Sequence, residues 1–280
     1  MNLVDMHTHT SLSDGEISPN DLIRMAINSG IKTLSITDHD SVNAYSLINY
    51  EVFKGKIELI TGIELSAKIS KGRLHILGYD VDVNDQDFIN HTLEIRRNNF
   101  YSMIALLNQL RLDFGIAFSC DEICDIFNAP HNIGRPDVAK LLVKHGYCKT
   151  SQETFGAYLN HSYDKVRDKN ITKSSKECID IILNAGGVPV LAHPNQLKLT
   201  NEELKRFIGE LKDYGLMGIE AYHSGHSLEE TAYYLYLANY YNLLVSGGSD
   251  YHGPVLKPEV ELGKMNIQSL SLVNYLRKRK

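Results

Sequence analysis

Asp5-Met6-His7-Thr8-His9, followed closely by Asp14-Gly15, sets an acid and two histidines two positions apart near the start of the chain. Read as an extended strand, it puts Asp5, His7 and His9 on one face and Val4, Met6 and Thr8 on the other, because side chains alternate along a strand. Two imidazoles at i and i+2 of one face can grip one metal ion. That geometry gains meaning only if further imidazoles and carboxylates arrive at the ends of other strands.

Working outward, Ser18 reads as an N-cap with Pro19 at the first helical position. Leu22, Ile23, Ala26 and Ile27 give the helix its apolar stripe, and Gly30 ends it. Residues 33–37 are the second strand, with Asp38-His39-Asp40 at its C-terminal end, and a helix is expected over 42–53. A third strand over 57–63 ends at Glu64, and a fourth over 73–79 contains His75. This rhythm predicts a parallel α/β fold.

The rhythm breaks over 86–169, which turns helical and more polar. Leu93, Ile95, Met103, Ile104, Leu106, Leu107 and Leu110 mark a long amphipathic helix, with shorter helices near 120–127, 136–145 and 151–160. It resumes with a helix capped by Ser174 or Ser175. A strand over 188–192 ends at His193-Pro194, and a helix over 200–215 follows. A strand over 218–223 ends at His223, and a Tyr-rich helix covers 228–242. The last strand, 243–247, leads into Ser249-Asp250-Tyr251-His252, and the chain ends in a basic helix near 268–280. The expected organisation is a barrel from 1–85 and 170–280, with 86–169 an inserted helical subdomain.

His7, His9, Asp14, His39, Glu64, His75, His193, Asp250 and His252 are thus the metal-capable residues at predicted strand ends. In a parallel barrel such ends converge on one face. Imidazole mixed with carboxylate suits Zn, Mn or Fe. Nine groups exceed what one ion needs, so two or three divalent ions are expected. Ions ~3.5–4 Å apart clamp the attacking and leaving oxygens of a phosphoryl transfer. Asp14, Glu64 and Asp250 are the candidate catalytic acids, Glu64 having two oxygens with which to bridge ions. His223 and His226 follow a barrel strand and are candidates to border the substrate. His91, His145 and His161 are expected on solvated faces, and His131 in a loop.

Composition narrows the partners. The chain has 280 residues, 43% hydrophobic and 22% charged, ordinary values for a soluble globular protein. The net charge of −5 argues against generic polyanion binding and favours a small anionic nucleotide, or a short single-stranded RNA or DNA. No apolar run reaches the ~18 residues of a membrane helix. No signal peptide is evident, so the expected location is cytoplasmic, with no obligate protein partner indicated. The four cysteines, Cys120, Cys124, Cys148 and Cys178, form no C-x-x-C pair and are expected to be reduced.

Asp5-Met6-His7-Thr8-His9, Thr37-Asp38-His39-Asp40, Gly62-Ile63-Glu64, His75, Ala192-His193-Pro194 and Ser249-Asp250-Tyr251-His252 resemble, in order, the motifs of the PHP (polymerase and histidinol phosphatase) superfamily. Ser13-Asp14-Gly15 resembles its branch of bacterial 3′,5′-nucleoside bisphosphate phosphatases and 5′–3′ exonucleases. The resemblance implies a distorted (β/α)7, TIM-like barrel with a trinuclear centre. His7, His9, Glu64 and Asp250 would hold the first ion, Glu64, His75 and His193 the second, and Asp14, His39 and His252 the third. It also implies that the helical insert binds phosphate, with Arg135 of Gly134-Arg135-Pro136 as a bidentate clamp. Two departures stand out. Asp137 occupies the position where the branch carries histidine, and the later basic segment of the insert is poorly matched, leaving Lys165 or Arg167 as substitutes. The alternatives are a histidinol-phosphate-type phosphatase, or a catalytically silent module that only binds.

Overall fold

Seven strands follow one another across the sheet in sequence order: β1 (Leu3–Asp5), β2 (Ile31–Ile36), β3 (Glu58–Ala67), β4 (Leu74–Tyr79), β5 (Val188–Leu191), β6 (Gly218–His223) and β7 (Leu244–Gly248). The computed structural model describes residues 3–129, 131–166 and 172–279. β1 is short, but residues 6–9 continue its line and bring the two ends of the sheet together. Met6 N donates to Gly247 O (3.2 Å), Asp250 N to His7 O (2.8 Å) and His9 N to Tyr251 O (2.9 Å). The result is a nearly closed barrel. Gly248 permits the closure, since a Cβ there would run into the backbone nitrogen of His7.

The expected parallel sheet is corrected at one strand. β1–β2–β3 and β5–β6–β7 pair in parallel, whereas β4 runs antiparallel to both β3 and β5. Only six residues join β3 to β4. A parallel crossover needs roughly a dozen or more, so a link this short can only turn back. β4 therefore begins at the end of the barrel where the parallel strands finish, which brings His75, near its start, level with them.

The helices of the barrel unit follow from their caps and stripes. In α1 (Pro19–Asn28), Ser18 Oγ accepts from Asp21 N at 3.3 Å. Leu22, Ile23 and Ala26 are fully buried, the two larger side chains contributing about 1.5–3 kcal/mol each. The helix expected over 42–53 is instead a 3₁₀ turn, Asn43–Leu47, and a single turn, α2 (Tyr50–Phe53). Ile48 is extended, and Asn49 N is captured by Asn20 Oδ1 at 2.9 Å rather than by a carbonyl of its own helix.

The chain divides into two compact units, Met1–His91 with Lys173–Lys280, and Thr92–Thr172. α3 (Gln86–Phe114) starts in the first and continues in the second. The second unit then holds α4 (Cys120–Asn128), α5 (Arg135–Lys144), α6 (Ser151–Thr154), a π-helical turn Phe155–Leu159, and α7 (Asn160–Val166) around Met103, Leu106, Leu110, Val138, Leu142 and Leu159. Back in the barrel unit, α8 (Ser175–Asn184), α9 (Asn201–Asp213) and α10 (Leu228–Tyr240) each open with a capping box, Ser174 with Glu177, Thr200 with Glu203 and Ser227 with Glu230. α11 (Ser271–Arg279) packs Leu272, Val273 and Leu276 onto the barrel core. The four cysteines are unbridged. No helix among the described residues is long and apolar enough to cross a membrane.

Candidate metal centre

Each candidate ligand is set by the element that carries it, although β3 runs on to Ala67 rather than ending at Glu64 as expected. His7 and His9 project from the segment that continues β1, their ring centroids 5.2 Å apart. Asp14 sits on a tight loop that Asp38 holds in place. The Asp38 carboxylate accepts from Thr10 N (2.7 Å), Thr10 Oγ1 (2.6 Å) and Ser13 Oγ (2.6 Å). His39 follows β2, Glu64 lies within β3, and His75 stands near the start of β4. His193 and Asp250 follow β5 and β7 in the sparsely populated positive-φ region, at +22° and +55°. Neither is left unsupported: His193 N donates to Glu220 Oε2 (2.7 Å) and Asp250 N to His7 O.

The structure brings all nine side chains together around Glu64. Glu64 Oε2 lies 3.3 Å from His7 Nε2, 3.2 Å from His9 Nε2 and 3.2 Å from His39 Nδ1. Asp250 Oδ1 closes the same group at 3.4 Å from His7 Nε2 and 3.2 Å from His9 Nε2. Glu64 Oε1 faces the other way, 2.7 Å from His75 Nδ1 and 2.8 Å from His193 Nε2, which are themselves 3.2 Å apart. Nearer the surface, Asp14 Oδ1 is 3.3 Å from His252 Nε2 and 3.5 Å from His9 Nδ1, and Asp14 Oδ2 is 3.7 Å from His39 Nε2.

These separations suit cations. With ligand bonds of ~2.1 Å, neighbouring donors of a tetrahedral shell stand about 3.4 Å apart. The contacts among His7, His9, Glu64 and Asp250 lie at that spacing. His9 Nε2 and His39 Nδ1 are buried 3.2 Å from Glu64 Oε2, yet neither makes a hydrogen bond of acceptable angle. Nitrogens aimed at a shared point rather than along a hydrogen bond are what a metal-ligand set requires.

Electrostatics point the same way. Burial opposes charge on His7, but the carboxylates of Glu220, Glu64 and Asp250 overcome it and hold the imidazole well above its ordinary range. Asp250 and Glu64 likewise push His9 up to about 10. The surrounding imidazoles hold Glu64 and Asp250 well below the usual carboxylate range, and Asp14 is lowered by His39 and His252. At His193 burial prevails, pulling it down to about 4. These directions favour the cationic form of His7 and His9 in the metal-free protein, whereas a ligand imidazole must be neutral. Loading should release protons, and affinity should rise with pH. Calorimetric titration of the metal-free protein with Mn²⁺ in two buffers of different ionisation heat should show at least one proton leaving; heats independent of the buffer would contradict this.

The other expected site residues fall as follows. His223 Nε2 lies 3.3 Å from Asp250 Oδ2, and its Nδ1 accepts from Gly225 N (2.9 Å). His226 stands behind it at 4.9 Å between rings, its Nδ1 donating to Ala221 O (3.0 Å). Arg135 begins α5 in the helical unit, its guanidinium 4.4 Å from the Tyr163 ring and 5.7 Å from that of Phe155. Asp137 is taken up locally, accepting from Gly134 N (2.9 Å) while pairing with His131 Nε2 (2.7 Å). Lys165 pairs with Asp113 at 2.5 Å; Arg167 lies outside the described residues. His145 bonds Glu122 (2.9 Å), and His161 is exposed.

The roles of three residues escaped the sequence reading, although Asp38 stands in one of its quoted motifs. Glu220 bonds His7 Nδ1 (2.8 Å), Lys257 Nζ pairs with Asp250 Oδ2 (2.6 Å), and Asp38 shapes the Asp14 loop. Glu220 had a signal, an acid in the middle of an otherwise apolar strand, Gly218-Ile219-Glu220-Ala221. Lys257 had none, lying in a surface loop five residues beyond His252.

Comparison with known proteins agrees with this geometry. The chain is 29% identical to the 5′-3′ exoribonuclease Rnm of Escherichia coli, over 94% of this chain and 88% of that one. It is 26% identical to the 3′,5′-nucleoside bisphosphate phosphatase of Chromobacterium violaceum, over 90% and 87%. A crystal structure from Bifidobacterium adolescentis, described as a candidate metal-dependent phosphoesterase, superposes with a TM-score of 0.75 at 27% identity, covering 94% of this chain and 91% of that one. The PHP domain profile matches residues 5–220. The His, Asp and Glu clusters are consistent with the metal sites of a metal-dependent phosphoesterase. On these grounds, the chain belongs to the PHP domain family.

Proposed function

We propose that this protein hydrolyses phosphate from nucleotides, either 3′,5′-nucleoside bisphosphates or the 5′ end of short single-stranded oligonucleotides. The observation that carries the reading is the Glu64 carboxylate, one oxygen turned to His7 and His9 and the other to His75 and His193. His7, His9, Glu64 and Asp250 would hold one cation, Glu64, His75 and His193 a second, and Asp14, His39 and His252 a third. Ions so held supply neutralisation of phosphoryl charge and an activated water.

The chain's own groups do the rest. Glu64 keeps two positions in register through its two oxygens. Asp250 presents Oδ1 to His7 and His9, while Lys257 and His223 occupy Oδ2. Because Gly225 N donates to Nδ1, His223 meets Asp250 Oδ2 with a proton on Nε2, at the edge of the site where a substrate would lie, and His226 stands behind the ring. Arg135 serves as the clamp on a phosphate that does not react, a role supported by its Gly-Arg-Pro context. Arg135→Ala should then raise KM about ten- to a hundredfold with kcat little changed, as expected for losing charged hydrogen bonds worth ~1.5–3 kcal/mol. A fall in kcat alone would instead place Arg135 at the reacting phosphate.

A net charge of −5 fits short substrates better than long nucleic acid, which rewards an extended basic surface. The test is a panel with Mn²⁺-loaded protein: adenosine 3′,5′-bisphosphate, a short 5′-phosphorylated RNA and histidinol phosphate. Phosphate from the first, or mononucleotides from the second, is the expected result. Preference for histidinol phosphate, or inactivity on all three with ions bound, would overturn it.

A further inference from the structure

We propose that Glu220 is a positioning residue that sets the tautomer of His7 and, through its second oxygen, fixes the backbone of His193. Its side chain is fully buried in β6, with Oε1 2.8 Å from His7 Nδ1 and Oε2 accepting from His193 N at 2.7 Å. An ionised carboxylate only accepts, so both partners must donate. In the neutral imidazole that a bound cation requires, the one His7 proton is thereby kept on Nδ1, which leaves Nε2 facing Glu64 Oε2 at 3.3 Å and Asp250 Oδ1 at 3.4 Å. The same carboxylate holds His193 at its unusual φ of +22°, with Nε2 2.8 Å from Glu64 Oε1. One buried acid thus orients an imidazole on each side of Glu64.

Glutamine is the informative replacement. Its single oxygen would stay with the His193 N–H, which has no freedom to turn. Its amide nitrogen would then donate to His7 Nδ1, shift the His7 proton to Nε2 and close that nitrogen to a cation. Partners in this outer position typically change metal affinity ten- to a hundredfold.

The inference rests on reading the site as a metal centre, and the experiment separates the two. Mn²⁺ titration of metal-free wild type, Glu220→Gln and Glu220→Asp is followed by calorimetry, with circular dichroism to check folding. Expected are a ten- to hundredfold weaker Kd for E220Q and a smaller loss for E220D, which keeps the acceptor. Wild-type Kd in E220Q, or equal losses in both variants, would overturn the role of the acceptor. A nitrogen-15 spectrum of the Zn²⁺-loaded wild type needs no variant to fold: the His7 proton belongs on Nδ1. A proton on Nε2 would instead put the ion between His7 Nδ1, Glu220 and His223, which also lie within ligand distance of one another, and end the proposal. Failure of wild type to take up any ion would remove the metal centre itself.

Discussion

Glu64→Gln is expected to abolish turnover and metal uptake together. Five imidazoles lie within 3.3 Å of this one carboxylate, three on Oε2 and two on Oε1. An amide keeps one acceptor and turns a donor toward the other group, so both halves of the centre cannot survive. Losing a shared ligand should cost on the order of 10³-fold or more in kcat, about 4 kcal/mol of barrier. Metal analysis of the purified variant should show a parallel loss of ions; a variant that retains wild-type metal content and activity would show that Glu64 is not the shared ligand.

The same change should be felt in the metal-free protein, with a definite pH dependence. Folding raises His9 from its ordinary 6.5 to about 10, so that its stabilisation is complete below 6.5 and is lost as pH rises toward 10. Folding lowers Glu64 well below its ordinary 4.5, so that its contribution is present above that value and is lost on acidification. The ion pairs therefore count most between about 4.5 and 6.5. Breaking a buried pair costs roughly 3–5 kcal/mol, less where the remaining imidazole can shed its proton. Urea unfolding should show E64Q destabilised more at pH 6 than at pH 9. The opposite order would mean that the imidazoles are neutral in the metal-free protein.

Asp250→Asn should be nearly as damaging to turnover but gentler on metal content. Lys257 Nζ at 2.6 Å and His223 Nε2 at 3.3 Å both donate to Asp250 Oδ2. In the variant the amide oxygen must serve them, which turns the NH₂ group toward His7 and His9. The position bounded by His7, His9 and Asp250 is then blocked, while Glu64, His75 and His193 are untouched. Turnover should fall by about 10²–10³-fold, as for loss of a directly acting polar group, with the fold retained and part of the metal still bound. Turnover within tenfold of wild type would remove Asp250 from the site. Complete loss of metal would show that the positions are not separable.

How much was legible beforehand varies by residue. His7 and His9 were readable because period two in a strand is a local property: spacing alone puts both on one face. His39, His193, Asp250 and His252 were readable because each closes an apolar run, and strand ends converge in a barrel. His75 was readable as a candidate, but not the reason it lies where it does. That depends on β4 reversing direction, a consequence of a six-residue link rather than of any site residue. The Asp137 departure after Gly-Arg-Pro was visible, but its engagement with Gly134 and His131 was not, since a capping bond exists only once the helix does.

The alternation of strands and helices and the identity of the nine converging side chains can be read from the chain alone. Those follow from periodicity and chain order, which are encoded locally. Tertiary structure alone decided which oxygen of Glu64 faces which imidazoles, that Glu220 and Lys257 stand behind His7 and Asp250, and that His226 backs His223. Such contacts join residues up to 213 positions apart, as His7 and Glu220 are. A side chain's partner across that span is set by barrel closure and strand register, which no local pattern in the chain records.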